Sequence, residues 1–155
     1  MLLIETIARH PSLPPVVFAG AAKDGEDLRL RSRARELGVL NRVFFLGAVP
    51  DSDLPWLYAT AGCLAIPSRV EGFGIPALEA QRAGLPLAVA RAGALPEVSA
   101  EGTPLFDLED PESCAKALKQ ALAAPLHLIQ RAQRHADQFR WETAAERLYG
   151  IWMSQ

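Results

Sequence analysis

The chain has 155 residues, half of them apolar, enough to bury the core of one ordinary domain and too apolar for a disordered tail. A formal net charge of −2 leaves no dominant basic surface, which argues against a nucleic-acid partner. Cys63 and Cys114 are the only cysteines and share no CxxC or Cys/His ligand spacing, so no metal site or disulfide framework is expected, and a reduced, cytoplasmic setting fits.

The apolar start Met1-Leu2-Leu3-Ile4 is broken at Glu5 and Arg9, too early for a signal-peptide core. Nowhere do about twenty apolar residues run together, so no membrane span is expected. Pro15 to Gly20 reads as a short buried strand ending at a glycine, and the charged stretch from Glu26 to Leu37 as a helix stopped by Gly38. Arg42 to Gly47 is a second strand with the same glycine ending. Asp51 or Ser52 can cap a helix that turns Leu54, Leu57 and Tyr58 inward. Cys63 to Ile66 makes a third strand, Pro76 to Ala83 a helix, Pro86 to Ala90 a fourth strand and Thr103 to Phe106 a marginal fifth.

From Pro111 onward the periodicity is helical, over 111–123, 126–138 and 141–152, with Asp110 placed to cap and Pro111 at the first helical position. Continuous apolar strands alternating with helices predict a parallel sheet covered on both faces, an α/β doubly wound, Rossmann-like domain. No repeat or linker interrupts it, so residues 1–155 read as a single domain with a helical C-terminal region.

The chemistry concentrates between Pro67 and Glu79. In open parallel sheets ligands bind beyond the carboxyl ends of the strands, and the strand ending at Ile66 delivers the chain into this segment. Gly72-Phe73-Gly74 lets the backbone turn tightly and approach a ligand without Cβ obstruction. Pro76 suits the first turn of the next helix, which leaves the N–H groups near Gly74 and Ile75 at a helix N-terminus that favours an anion such as a diphosphate. Glu79, one turn in, can accept hydrogen bonds from two adjacent ribose hydroxyls, and Glu71 in the loop can accept from sugar hydroxyls. A Glu-x7-Glu pair alone is commonplace, and so is a glycine turn. Two carboxylates bracketing such a turn after a Pro-Ser strand ending are a narrower pattern, and it points to a nucleoside diphosphate sugar.

With these residues the chain resembles the group 1 glycosyltransferases, a family similar to glycogen synthase. The resemblance runs from about Leu13 to Trp152, anchored on Arg42 to Gly47, Pro67-Ser68, Glu71 to Ala80, Gly84-Leu85-Pro86, Gly93-Ala94-Leu95-Pro96-Glu97 and Phe139 to Glu142. It implies the second, donor-binding domain of a two-domain GT-B enzyme, most members of which retain the anomeric configuration. By resemblance, Glu71 contacts the transferred sugar and Glu79 the ribose, while the backbone of Gly72, Phe73, Gly74 and Ile75 faces sugar and diphosphate. Gly47, Ala48 and Val49 would lie beside the base, with Leu78 as an apolar neighbour.

The chain departs from the family pattern in several places. Ala94 stands where a second glycine is usual, and Gln81-Arg82 replaces a small or methionine pair. The chain starts in what looks like the helix after the family's first strand, so that strand and the cationic loop that neutralises the donor diphosphate have no matching residues. A gap or atypical pairing is therefore expected in the sheet, and the isolated chain is expected to be inactive. An acceptor-binding domain, attached or on a separate chain, would complete the enzyme, with any membrane contact made through the acceptor. The donor is a substrate, and no cofactor is implied.

Other residues read more plainly. His10, His127 and His135 show no metal or triad spacing, and Arg29, Arg31, Arg33 and Arg35 spread around a helix as a solvated surface. Trp56, Tyr58, Trp141 and Trp152 are expected in packing roles, Glu97 as a local helix cap, and Ser68 lacks a nucleophile-elbow setting. Two competing functions remain: a non-catalytic nucleotide-sugar-binding module or degenerate remnant, and a sugar-nucleotide epimerase of the same fold.

Overall fold

The computed structural model describes residues 1–22 and 24–154. In chain order the elements are α1 (Leu2–Arg9), β1 (Val16–Ala19), α2 (Glu26–Glu36), β2 (Val43–Gly47), α3 (Leu54–Thr60), β3 (Leu64–Ile66) and α4 (Ile75–Arg82). They continue with β4 (Leu87–Ala90), α5 (Leu95–Val98), β5 (Leu105–Phe106), α6 (Pro111–Leu122), α7 (Leu126–Ala136) and α8 (Trp141–Met153). Each apolar run became a strand and each periodic stretch a helix, within a residue or two of the expected bounds.

All strand pairings are parallel, which forces a crossover helix between successive strands. The strands form two sheets, β1-β2 and β3-β4-β5, and among the described residues no strand joins β1 to β3. The sheet thus shows the gap that was expected in it. Cover is also uneven. Every residue of β4 is buried, as a central strand of a doubly wound sheet requires, whereas burial alternates along β1. Val16 and Phe18 face the core with Val43 and Phe45 across the pair, leaving Val17, Phe44 and Leu46 about half exposed. Two-sided burial therefore holds for β4 and not for β1-β2.

α1 spans the division. Its stripe of Leu3, Ile4 and Ile7 is buried, and the helix packs against α6, α2 and β1. Polar ties fix it: Arg33 of α2 reaches Glu5 with Nη2 at 2.9 Å, and Arg42 donates to the carbonyls of Ile7 and Leu13. A guanidinium at the last turn of α1 also suits the negative end of its dipole. At α6, Asp110 caps as expected, accepting from the Glu112 N–H at 2.9 Å.

Several expectations are corrected. The N-cap of α3 is Asp53, with no side-chain cap bond, and Ser52 spends its hydroxyl on the Asp53 carboxylate. Glu97 lies inside α5 and caps nothing; that helix begins after Ala94. Trp56, Trp141 and Trp152 are 66%, 84% and 74% exposed, because α3 is short and α8 has no buried residue at all. Tyr58 alone of the four aromatics packs against the core. The arginines of α2 do spread: Arg29 meets Glu26, Arg31 lies over the Phe45 ring and Arg33 turns to Glu5.

The unusual Gln81-Arg82 pair is structural. Gln81 is 1% exposed, and its amide donates to the carbonyls of Ala77 and Val98 while accepting from the Ala100 N–H at 2.8 Å. It clips α4 to the segment leaving α5. Arg82 donates to Ala136 O at 3.0 Å, holding the end of α7 against α4. Gln81→Leu keeps the volume but strands the Ala100 N–H in the core and removes one of the two partners of the Val98 carbonyl. It should lower the unfolding free energy by about 1–3 kcal/mol, read from the urea midpoint.

Candidate functional site

The Glu71–Glu79 segment forms as its sequence requires. β3 ends at Ile66, the chain loops through Pro67 to Phe73, and Gly74 turns it into α4 in the left-handed region at φ +88°. Only glycine takes that conformation readily, and the space is tight as well: a Cβ at Gly74 would sit 3.0 Å from Val98 Cγ2 and 3.6 Å from Glu71 Cγ. The α5 side chains Leu95 and Val98 therefore form the floor of the turn.

Above that floor the main chain is open. Among the described residues the N–H groups of Gly72, Phe73, Gly74 and Ile75 donate to no protein acceptor, and Pro76 has none to give. Four free donors and the positive end of a helix dipole thus stand in one short stretch, exposed apart from Gly74. Glu71, half-buried, precedes them and Glu79, exposed, follows them. Phe73 leans edge-on to Phe139, and Ile75 is half exposed.

Glu71 is held by its backbone. The Ala94 N–H donates to Glu71 O at 3.3 Å, and Gly93, at φ +54°, lies so close that a Cβ there would meet both Glu71 N and O at 2.9 Å. The family's second glycine is dispensable here, since Ala94 sits at φ −77°. Glu79 is held by its side chain: Tyr58 Oη donates to Glu79 Oε2 at 2.9 Å, drawing α3 to α4. Burial, and secondly this bond, push the Tyr58 phenol up to about 12 from its ordinary 10.0, so it stays a donor at neutral pH. Stability contributed by the neutral phenol is complete below about pH 10 and is lost as pH rises toward 12.

The remaining predicted site residues are Gly47, Ala48 and Val49 at the end of β2 and Leu78 within α4. Gly47, at φ +69°, ends β2, and its carbonyl already accepts the Gly20 N–H at 2.8 Å; Ala48 is exposed and Val49 half-buried. Leu78 is 8% exposed and packs into the core, leaving little of its side chain for a ligand. Two guanidinium groups follow the ends of β3 and β4, and both are engaged, Arg69 with Glu109 and Arg91 with Asp107. Among the described residues no three His, Cys, Asp or Glu side chains could hold one metal ion. Among the described residues no helix is long and apolar enough to cross a membrane. His10 ends α1 beside Glu112, and His135 meets the Val98 carbonyl.

Sequence reasoning missed the Tyr58 partnership and the Gly93 contact. Nothing in spacing announces the first; the second had a signal in Gly93 itself, a glycine just beyond a strand end. Gly93→Ala should cost more than about 1 kcal/mol, since it adds both strain and a backbone clash, whereas Ala94→Gly should cost about 1 kcal/mol or less. Urea midpoints of the two variants give the comparison.

The fold is shared with solved glycosyltransferases. Anabaena Alr3699/HepE, solved in complex with UDP, superposes with a TM-score of 0.86 at 27% identity, covering 99% of this chain and 44% of that one. Sucrose-phosphate synthase from Thermosynechococcus elongatus gives a TM-score of 0.85 over 99% of this chain and 41% of its own, at an identity of 23% that speaks for the fold alone. In sequence, the D-inositol 3-phosphate glycosyltransferase of Corynebacterium urealyticum is 35% identical over 96% of this chain, and that of Corynebacterium kroppenstedtii is 40% identical over 93%. The chain spans only 37% and 34% of those two relatives' length. The pattern of the family described as "Glycosyl transferases group 1" matches residues 2–139. With that match covering most of its length, the chain belongs to the group 1 glycosyl transferases and has the Rossmann-like half-fold of GT-B enzymes.

Proposed function

We propose that this chain binds the sugar donor, a nucleoside diphosphate sugar, in a hexosyl-transferring and retaining enzyme. The observation that carries the reading is the stretch of four free N–H groups at the start of α4, bracketed by Glu71 and Glu79. Main-chain donors and a helix dipole suit the diphosphate, and a carboxylate that accepts two hydrogen bonds suits the ribose diol. Glu79 takes the ribose and Glu71 the sugar hydroxyls, with the Gly47–Val49 loop beside the base. A uridine nucleotide is the first donor to test, because the Anabaena protein that shares the fold was solved with UDP and with UDP-glucose.

Losing a hydrogen bond to a charged group costs about 1.5–3 kcal/mol, so Glu79→Ala should weaken UDP binding by roughly ten- to a hundredfold in calorimetry. Unchanged affinity would remove Glu79 from the ribose.

The state of the arginines supports a second reading for the isolated chain, that of a donor binder without turnover. Departure of a diphosphate calls for cations on the developing charge, and the guanidinium groups after β3 and β4, Arg69 and Arg91, are exposed and pair at the surface with Glu109 and Asp107. The acceptor side would come from an acceptor-binding domain or a separate chain, and the cations from the loop that follows the family's first strand. Incubated with a radiolabelled nucleotide sugar and candidate acceptors, the purified chain should release no labelled product above the no-enzyme rate. Robust transfer would overturn this.

A further inference from the structure

We infer that Tyr58 is a positioning residue for donor binding, one that locks the Glu79 carboxylate by its hydroxyl so that the other oxygen stands ready for the ribose. The inference rests on the reading of Glu79 given above.

Glu79 is solvent-exposed on α4, where a free glutamate side chain would sample several rotamers and lose that freedom on binding. Tyr58 removes much of the freedom beforehand. Its ring packs against the core from α3, so the hydroxyl is presented from a fixed platform, and it meets Oε2 at 2.9 Å. A carboxylate has about four lone-pair sites over two oxygens, and the phenol uses one. Oε1 has no protein partner among the described residues, and it remains for a diol. The phenol is held neutral far above physiological pH, so the lock does not open by ionisation.

The placement also joins two parts of the site. α3 is the helix that follows the Gly47–Val49 loop, and α4 is the helix that carries the glycine turn. The Tyr58–Glu79 bond ties them together, and it connects an element after β2 to an element after β3, across the division between the two sheets. A shift of α3 would move Glu79, so the loop assigned to the base and the carboxylate assigned to the ribose keep a common spacing.

The test is calorimetry on the 155-residue chain, with UDP and 2′,3′-dideoxy-UDP as ligands. The proteins are wild type, Tyr58→Phe, Glu79→Ala and the double variant, with melting curves to check folding. Tyr58→Phe keeps the ring and its packing and removes only the hydroxyl. UDP binding is expected to weaken about three- to tenfold in Tyr58→Phe, as for loss of a single hydrogen bond, while dideoxy-UDP changes by less than about twofold. In the Glu79→Ala background the second substitution should cost nothing further.

Equal losses for both nucleotides would make Tyr58 a packing residue and overturn the inference. So would unchanged UDP affinity in Tyr58→Phe, and tighter binding would show that the phenol competes with the ribose. If Glu79→Ala leaves the preference for UDP over dideoxy-UDP intact, or wild type binds neither, the donor-site reading fails and the inference with it. If Glu79→Ala abolishes that preference and Tyr58→Phe does not touch it, only the inference fails. Should Tyr58→Phe melt early, the titrations are run well below its transition, where the ratio of UDP to dideoxy-UDP affinity is still read; a fall in that ratio supports the lock, and an unchanged ratio counts against it.

Discussion

The helix α1 is the constraint on which the rest of the domain depends. Parallel strands normally hold a doubly wound domain together through an unbroken ladder of main-chain hydrogen bonds, and here the strands fall into two sheets, β1-β2 and β3-β4-β5. Cohesion across the break must come from side chains. Ile4 and Ile7 are 1% exposed or less, and α1 packs on α6 over one sheet and on α2 and β1 over the other. Each such apolar side chain contributes about 1.5–3 kcal/mol when buried, comparable with the ladder bonds the break forgoes. The links from Arg33 to Glu5 and from Arg42 to the end of α1 orient the helix as well as hold it.

The binding turn follows a different logic from the core. Its shape is fixed by main-chain contacts that exclude a Cβ: Gly74 above Val98, and Gly93 against Glu71. Nothing there is stabilised by large apolar burial, and the N–H groups of Gly72, Phe73 and Ile75 lie on exposed residues, where a bound anion would replace water. Rigidity comes from below, where Leu95 and Val98 support the turn and Gln81 clips α4 to the segment behind it. Donors are thus kept aimed without being used.

Much of this was legible in the sequence, and the reason is local. Apolar runs such as Leu87 to Ala90 could only be strands buried on both sides, and Asp110-Pro111 could only start a helix. The glycine-bracketed turn and its two carboxylates were legible for the same reason: a positive φ and a helix start are written in neighbouring residues. What stayed hidden was tertiary. Trp56 and Trp141 look like core aromatics by composition, yet a short helix and one without a buried face leave them in solvent. Gln81 looked like a mere departure from a pattern until the carbonyl of Val98 and the N–H of Ala100 were found on its amide. The Tyr58–Glu79 bond joins helices whose relative placement no spacing rule gives.

The split between the sheets also bears on how the chain reaches its native state. Every strand pairing here joins sequence neighbours: Val16 with Val43, Leu64 with Leu87, Val89 with Leu105. Pairing therefore asks for only short loop closures, and contact order in the sheets is low for a parallel fold. The distant closure is the docking of α1 on α6, where Thr6 meets Cys114 in the core. That step joins residues 2–9 to residues 111–122 through side chains, with no main-chain ladder to offset its entropy.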